Sequence, residues 1–362
     1  MSPKKIFAPA ALLVLMGLAP GVHAQSTLNL YGVIDLAVGS FQNSYASSAA
    51  NPRATKVDSN PTITSFVGMK GTEDLGGGTK VGFVLESFLR PDTGAAGRPP
   101  VGSTADVFWA RAANVWMDTG YGTMTLGRQG TLLFVNTLSY NPLGGGFGLS
   151  PAIRLTFGGP WGNDKSDSGF SNAVTYSTPN MSGFKASLQY QFGESATSAE
   201  KGTYALAASY TAGDFSIGGA WQTVRSAEAP KPDFTAGQKQ TFGMLGASYN
   251  FGFAKFFAQY GEFHNSGFAT TSRIDTKLYT LGASVPVTTS GTVLVEYGMS
   301  KEEAVEGGTT PDTDHSIFTL AYNHAVSKRT SLYAAYMMDK EDPDGVSYET
   351  GHTYMVGVRH AF

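Results

Sequence analysis

The sequence predicts an all-β fold, a transmembrane antiparallel 16-stranded β-barrel. Three observations indicate it: short runs of alternating apolar and polar residues recur from Gln25 onward, the links between them alternate in length, and the last run stops on an aromatic residue, Phe362. Alternation with a period of two turns one face of each strand to lipid and the other to a lumen. Because lipid cannot satisfy an open sheet edge, such a sheet has to close on itself.

The runs are about as long as tilted strands that cross a bilayer. Sixteen can be counted, with boundaries good to a few residues. They cover 27–39, 62–71, 79–89, 106–118, 122–129, 171–178, 183–192, 202–212, 214–224, 240–250, 253–263, 275–285, 291–300, 314–325, 329–339 and 351–362. An even number of strands places both chain termini on the same, periplasmic side.

The links between the runs alternate between short and long. Short links such as 178–183, 213, 251–252 and 326–328 carry Gly, Pro, Asn or Ser and predict periplasmic turns. The long links predict external loops, at 40–61, 90–105, 130–170, 193–201, 225–239, 264–274, 301–313 and 340–350. Seven short turns and eight long loops are the number that sixteen strands require.

The last strand predicts which face meets lipid. Tyr354 and Val358 alternate with Thr353 and Arg359, so the first pair is expected outside and the second pair in the lumen. The strand ends on Phe362 with no polar tail after it. A terminal aromatic that closes an alternating strand of an exported protein is the mark of a bacterial outer-membrane barrel.

The first 24 residues predict a cleaved export signal. Lys4 and Lys5 precede an apolar run at 6–18, and the small-residue site at 22–24 would leave Gln25 as the mature N-terminus. The apolar run is too short for a spanning helix. The expected organisation is therefore a signal peptide at 1–24 and one barrel domain at 25–362.

Composition narrows the class further. The chain has 45 Gly, 23 Phe and 17 Tyr but only 15% charged residues, which suits many strands, tight turns and interfacial aromatic girdles. Its formal charge is −3, so a nucleic-acid binder is not expected. It has no cysteine, and its histidines lack ligand spacing. No cofactor, metal site or enzymatic activity is predicted.

Five segments resemble those of Gram-negative general porins, nearest to the trimeric sixteen-stranded porins of the Burkholderia and Neisseria type. They are LYGVID at 30–35, VGMKGTEDLGGG at 67–78, GTMTLGRQ at 122–129, SKRT at 327–330 and VGVRHAF at 356–362. The resemblance covers nearly the whole chain after residue 24. It implies short periplasmic turns, long external loops, and a third long loop, here 130–170, that folds into the lumen.

The resemblance also implies a constriction in which loop acids face a ladder of basic residues on the opposite wall. Arg111 and Arg128 match that ladder, and Lys70 faces the lumen by strand phase nearer the periplasm. Phe66 occupies the place before the Val-Gly pair where the family usually has an arginine. The basic ladder is therefore expected to be weaker at its centre.

The loop side departs from the family as well, since 149–160 holds Arg154 and no carboxylate before Asp164. The same loop is rich in bulky apolar residues. These residues are Phe134, Tyr140, Phe147, Leu149, Leu155, Phe157 and Trp161. One interpretation is an eyelet narrowed by aromatics that favours ring-bearing solutes by stacking. The alternative is that these side chains anchor the loop against the wall.

Strand phase adds further lumen residues to the predicted constriction. Glu86, Asp35 and Glu296 point inward and are expected either to shape the field or simply to hydrate the wall. Tyr31 and Trp109 share that inward phase. Carboxylates also crowd the late external loops, where they are interpreted as an acidic mouth or as ordinary solvated charge.

The predicted function is an outer-membrane porin, a passive diffusion channel for small hydrophilic solutes and ions. A substrate-selective channel for sugars or aromatic acids and a structural or adhesive barrel without a pore are the alternatives. Outer-membrane lipid and lipopolysaccharide are expected partners, and the barrel-assembly machinery would read Phe362 as part of the insertion signal that the family implies. The sign of charge selectivity is left open.

A homotrimer is implied by the family. The second long loop, 90–105, would be the latch between subunits. Thr123, Thr125 and Gly127 are expected on the outer face, where they suit a neighbouring subunit better than lipid.

Overall fold

A computed structural model gives the chain as a closed antiparallel barrel with a loop inside it. The structure describes residues 26–45, 52–98, 106–157, 168–193, 202–224, 239–266, 274–304 and 312–362. Two short helices, α1 (Leu132–Ser139) and α2 (Pro151–Phe157), lie in the third long link. Neither helix of the described ranges is long and apolar enough to cross a bilayer.

The strands follow the alternating pattern of the sequence. Those of the first half are β1 (Thr27–Phe41), β2 (Ala54–Ser59), β3 (Phe66–Gly76), β4 (Thr79–Arg90), β5 (Ala95–Ala96), β6 (Ala112–Thr119), β7 (Gly122–Gly130), β8 (Gly169–Ser177) and β9 (Phe184–Gln191). Those of the second half are β10 (Thr203–Ala212), β11 (Phe215–Val224), β12 (Lys239–Asn250), β13 (Lys255–Ser266), β14 (Ile274–Pro286), β15 (Gly291–Ala304), β16 (Thr313–Ala325), β17 (Thr330–Pro343) and β18 (Gly351–Ala361).

The barrel closes between its first and last strands. β1 pairs with β3 along 27–33 and with β18 along 33–40. Each other wall strand pairs with the next one along the chain, from β3 and β4 through β6 to β18. β2 pairs only with the outer part of β1, and β5 pairs with the last two residues of β4. Sixteen strands therefore form the wall, which confirms the predicted fold.

The boundaries differ from the predicted ones where a side chain captures the backbone. β6 starts at Ala112 rather than at 106, because Asp106 binds Arg98 at 2.8 Å and residues 108–109, which follow it, form a turn. β3 starts at Phe66 rather than at 62, because the backbone N–H of residue 62 donates to the carboxylate of Asp35 at 2.7 Å. The sequence predicts no element in the links that contain β2, α1 and α2.

The two faces of the wall separate as the alternation predicts. On β9, Leu188 is 52% exposed on the outer face, whereas Gln189 is fully buried on the inner face. On β18, Tyr354 and Val356 are more than half exposed and Thr353 is buried. Large apolar side chains thus cover the outside and polar ones line the inside, which is the polarity of a barrel in lipid.

The predicted outward face of β7 is wrong. Met124 and Leu126 are the exposed outer residues, and they pair with other exposed apolar residues on β6 and β8. Thr123, Thr125 and Gly127 therefore point to the lumen, where the Thr123 hydroxyl donates to Asp118 at 2.5 Å. Counting apolar residues on both faces of this short strand would have given the correct phase.

Candidate pore constriction

The third long loop packs inside the barrel along the wall from β10 to β16. α1 lies against β10, β11 and β12, and α2 lies against β14, β15 and β16. α1 is capped by Thr131, the residue before it, whose hydroxyl accepts a hydrogen bond from the backbone N–H of Phe134 at 3.1 Å. Such a cap stabilises a helix by about 1 kcal/mol. The loop therefore enters the lumen as a capped helix.

Glycines on the inner wall make room for this loop. A Cβ on Gly246 of β12 would lie 2.5 Å from the ring of Tyr140, and one on Gly298 of β15 would lie 2.8 Å from Leu155 and Pro151. Neither distance is possible between non-bonded carbon atoms, so a side chain at these positions would displace the loop. Close approach of the loop to the wall therefore depends on these two glycines.

Polar wall residues bind the loop backbone. Gln189 accepts from the N–H of Leu132 at 3.3 Å and donates to the carbonyl of Gly130 at 3.1 Å. Gln259 donates to the carbonyl of Tyr140 at 3.1 Å, and Thr319 donates to that of Leu149 at 2.7 Å. Buried backbone groups need partners of this kind, so inward polar residues fix the course of the loop.

Glu296 anchors α2 rather than facing open water. Its side chain is 1% exposed, and its carboxylate accepts from the Ser150 hydroxyl and from the backbone N–H of Ala152, both at 3.2 Å. A carboxylate at a helix N-terminus is favoured by unpaired N–H groups. The side chain of Glu296 points inward, as the strand phase predicts. Its contacts, however, are those of a residue that anchors the loop.

A second anchor is a buried ion pair that joins the loop to β17. Arg154 and Asp339 are 7% and 3% exposed, and their side chains are 2.9 Å apart. The other carboxylate oxygen of Asp339 lies 2.7 Å from His315 on β16, and Arg154 also donates to Asn43 at 3.2 Å. Arg154, the arginine that the sequence places in this loop, therefore serves to attach the loop to the wall.

The loop tip reaches across to the segment before β3. A Cβ on Gly146 would lie 2.6 Å from the carbonyl oxygen of Pro61. That segment is held by Asp35, which is fully buried and accepts from the Thr62 hydroxyl at 2.8 Å and the Tyr333 hydroxyl at 2.7 Å. Asp35 thus supports the surface on which the loop tip rests, and its charge is screened from the pore by four donors.

The wall that the described part of the loop leaves uncovered carries a cluster of predicted site residues, which we call the wall cluster: Tyr31, Phe66, Lys70, Glu86, Phe88 and Arg111. Nε of Arg111 lies 2.8 Å from one oxygen of Glu86, and the Tyr31 hydroxyl donates to the other at 2.5 Å. The Arg111 guanidinium carbon lies 4.2 Å from the centre of the Phe66 ring. Five of its six members were predicted by strand phase or resemblance.

Lys70 completes the wall cluster on the periplasmic side. Its ammonium lies 4.5 Å from the centre of the Tyr31 ring, and the Tyr31 ring meets the edge of Phe66 at 5.7 Å. Gly68, between Phe66 and Lys70, leaves space for this arrangement, since a Cβ there would lie 2.8 Å from Cγ of Glu86. Two cations therefore rest on aromatic rings at the same stretch of wall.

Other predicted site residues lie apart from the wall cluster. Arg128 donates to the carbonyl of Ala110 and, at 2.8 Å, to the hydroxyl of Ser171. A bulge between residues 127 and 129 interrupts the alternation there, so strand phase does not fix its side. Trp109 packs on Phe108 at 4.7 Å in the turn before β6. Trp161 and Asp164 lie outside the described residues.

The bulky apolar residues of the loop divide into two groups. Tyr140, Leu149, Leu155 and Phe157 are at most 6% exposed and pack on the wall, as the anchoring interpretation expects. Phe134 and Phe147 are only partly buried, and they stack on each other at 6.4 Å. Sequence inspection missed the Arg154–Asp339 pair and the glutamine anchors, because their partners are more than 50 residues away along the chain.

A closed barrel with a polar inner wall and a loop that narrows its lumen defines a class of protein, the channels of the bacterial outer membrane. The sequence profile of Gram-negative porins matches residues 11–344. Outer membrane porin protein 32 of Delftia acidovorans is 31% identical, with 99% of this chain and 100% of that protein aligned. The chain belongs to the Gram-negative porin family, and it is an outer-membrane porin.

Solved structures agree with this assignment. The anion-selective porin from Comamonas acidovorans superposes with a TM-score of 0.75 at 26% identity, covering 93% of this chain and 100% of that one. The trimer form of OmpT from Vibrio cholerae superposes with a TM-score of 0.67 at 15% identity, covering 93% of this chain and 99% of that one. The predicted family, fold and outer-membrane location are confirmed.

Proposed function

We propose that this porin passes small hydrophilic solutes and ions by passive diffusion and prefers anions. The observation that carries the preference is the state of the inward carboxylates. Asp35, Glu296 and Asp339 are at most 3% exposed and hydrogen-bonded, and Glu86 is paired with Arg111. Bound and neutralised acids contribute little to the field that a permeating ion meets.

Cations of the same wall remain at the water. Lys70 is exposed, whereas the charge of Arg111 is offset by that of Glu86 although its side chain keeps 27% of its exposure. Arg359, the register partner of Asp35, is half-buried on the inner phase of β18. The similar porin from Comamonas acidovorans is described as anion-selective, which supports the same sign here.

The test is the reversal potential of the purified protein in a planar bilayer under a KCl gradient. We expect the sign that marks chloride preference, and a smaller value at high salt because exposed charges are screened. Lys70→Gln should reduce the chloride preference. Lys56→Gln removes the same charge from the external end, where Lys56 pairs with Asp58 at 3.1 Å, and serves as control. A cation-selective channel would overturn the proposal, and so would a barrel without conductance.

We further propose that the channel works as a homotrimer. The similar OmpT structure of Vibrio cholerae is described as a trimer form, and this supports the assembly. The second long loop is pinned at its base, because the N–H of Arg98 and its guanidinium both donate to Asp106. Native mass spectrometry in detergent tests the proposal, and a monomeric mass at all concentrations would contradict it.

Lipopolysaccharide is proposed as the lipid partner on the external side. Lys277 on β14 and Lys301 on β15 are direct register partners, both are exposed, and Asp314 lies 4.0 Å from Lys301 as the nearest acid. Adjacent like charges repel unless an anion lies between them. Tyr279 lies two residues from Lys277 along β14 and pairs with Tyr260 on β13. Tyrosines at this level suit the lipid interface. Lys277→Gln with Lys301→Gln should lower the lipopolysaccharide that copurifies, whereas an unchanged amount would reject this site.

Export through a cleaved signal peptide remains the proposal for residues 1–24. It is supported by the basic start and the apolar run of the sequence. Intact-mass measurement of the membrane-inserted protein tests it, with a chain starting at Gln25 as the expected result. Retention of the first 24 residues would refute the proposed cleavage.

A further inference from the structure

Arg111 is held in one orientation against the wall. Its guanidinium carbon lies 4.2 Å from the centre of the Phe66 ring and 5.6 Å from that of Phe88. Phe66 and Phe88 are register partners on β3 and β4, and both are more than 90% buried. Arginine stacks its planar group on aromatic rings in this way, whereas a lysine ammonium has no plane to align.

The other contacts of Arg111 leave its outer side open. Its backbone N–H donates to the carbonyl of Glu86 at 3.3 Å, and Nε lies 2.8 Å from the Glu86 carboxylate. Tyr31 fixes that carboxylate through its hydroxyl at 2.5 Å. One face of the guanidinium rests on Phe66, and the side chain as a whole keeps 27% of its exposure.

A second cation lies on the same stretch of wall. Lys70 and Phe66 share the inner face of β3, and the Lys70 ammonium lies 4.5 Å from the centre of the Tyr31 ring, which in turn lies 5.7 Å from that of Phe66. A flat solute with a ring at one end and a carboxylate at the other could meet both cations. Its ring would stack on Arg111 and its carboxylate would face Lys70.

We propose that the wall cluster is a stacking site for planar aromatic monocarboxylates, which makes the channel favour them over saturated carboxylates of equal charge and similar size. The inference rests on the proposed anion-preferring function and adds a solute class to it. It assigns the selection to Arg111 and Phe66 on the wall. The buried aromatics of the loop take no part in it.

Two acids separate stacking from charge. Benzoate and cyclohexanecarboxylate carry the same charge on rings of similar size, but only benzoate is flat and aromatic. Each acid is added to bilayers that hold the open channel in KCl, and the concentration that halves the conductance is measured. Stacking on an exposed cation should make that concentration about two- to fivefold lower for benzoate.

Three variants locate the effect. Arg111→Lys keeps the charge and removes the plane, and Phe66→Leu keeps the apolar floor and removes the ring. In both, the two acids should become equivalent. Phe257→Leu is the matched control, because Lys255 lies 5.0 Å from the Phe257 ring near a periplasmic turn, away from the wall cluster. It should keep the difference between the acids.

The outcomes distinguish this inference from the proposed function. Equal effects of the two acids on the native channel, or no effect of either, overturn the inference while chloride preference stands. If benzoate and cyclohexanecarboxylate still differ in the Arg111→Lys channel, the inference is overturned as well. A cation-selective native channel instead overturns the proposed function on which it rests. Should Phe66→Leu fail to fold, Arg111→Lys still decides the matter.

Discussion

The electrostatics of the constriction depend on which charges are already paired. Glu86 and Arg111 are both wall residues, and they form an ion pair at 2.8 Å in which the guanidinium also rests on Phe66. Asp35 shows the opposite extreme, since it is fully buried and saturated by donors. A count of inward charges would weigh these three residues equally. Their contacts leave Arg111 the most exposed of the three, with 27% of its side chain accessible against 14% for Glu86 and none for Asp35.

Charge reversal of the two arginines should move the channel toward cations. Arg111→Glu together with Arg128→Glu changes the formal charge of the wall by four units, and Arg111→Glu also sets two carboxylates side by side at Glu86. We expect the reversal potential in a KCl gradient to change sign. Lys56→Glu with Lys340→Glu makes the same change of charge at exposed external positions and should have a much smaller effect. An unchanged reversal potential in the double arginine variant would place these residues away from the ion path.

Strand phase predicted most of the wall cluster but not its chemistry. Tyr31, Lys70 and Glu86 were assigned to the lumen because a period of two leaves only two faces, whereas Phe66 and Arg111 were assigned by the family resemblance. That Glu86 would pair with Arg111 depends on the register between β4 and the residue before β6, and sequence alone does not set that register. Arg128 could not be assigned at all by phase, because a bulge lies beside it.

At the scale of elements, the third long loop behaves as a separate layer that is attached to the wall at fixed points. Glu296, which the sequence analysis assigned to the lumen, is one of those attachment points, and Gln189 is another. Their partners are backbone groups of a segment with no regular pattern. The position of the loop therefore could not be derived from periodicity, and only the family resemblance predicted that it lies inside.

Removing the buried ion pair should loosen the loop. Asp339→Asn leaves Arg154 without its counter-charge in a site where both residues are more than 90% buried. Loss of one partner of a buried pair costs about 3–5 kcal/mol, enough to release α2 from the wall for part of the time. We expect frequent closures in single-channel records, with the barrel still assembled. Lys340→Gln, which alters the neighbouring exposed residue of β17, is the control and should close as rarely as the native channel does. An Asp339→Asn channel that closes no more often than the native one would contradict the anchoring role.

The glycine on β12 allows a matched pair of substitutions. A Cβ at Gly246 would lie 2.5–2.8 Å from three atoms of Tyr140, whereas one at Gly243, on the outer face of the same strand, would meet its nearest atom at 3.6 Å. Overpacking of the first kind costs roughly 1–3 kcal/mol and pushes the loop into the lumen. Gly246→Ala should lower single-channel conductance and Gly243→Ala should not. Equal conductance in the two variants would show that the loop does not depend on this close approach.

At the scale of the whole molecule, closure is what the sequence specified best. All sixteen wall strands were predicted because lipid on one side and water on the other impose alternation on every one of them. β2 escaped prediction because it pairs only with β1 above the rest of the wall, and four of its six residues are exposed. An element that does not separate lipid from the lumen carries no alternation of apolar and polar residues, so the sequence does not predict it.

The closing seam makes the last residue a structural part of the barrel. Gly32 and Phe362 exchange backbone hydrogen bonds of 3.2 and 3.1 Å, and the Phe362 ring covers the position where Gly32 has no side chain. Deletion of Phe362 removes both the bonds and the ring, so we expect the yield of assembled protein in the outer membrane to fall severely. Phe362→Tyr keeps the backbone pairing and an aromatic ring and should assemble nearly normally. The heat-dependent shift of the folded barrel on unboiled gels measures both yields, and native-level assembly of the deletion variant would show that the seam closes without its terminal residue.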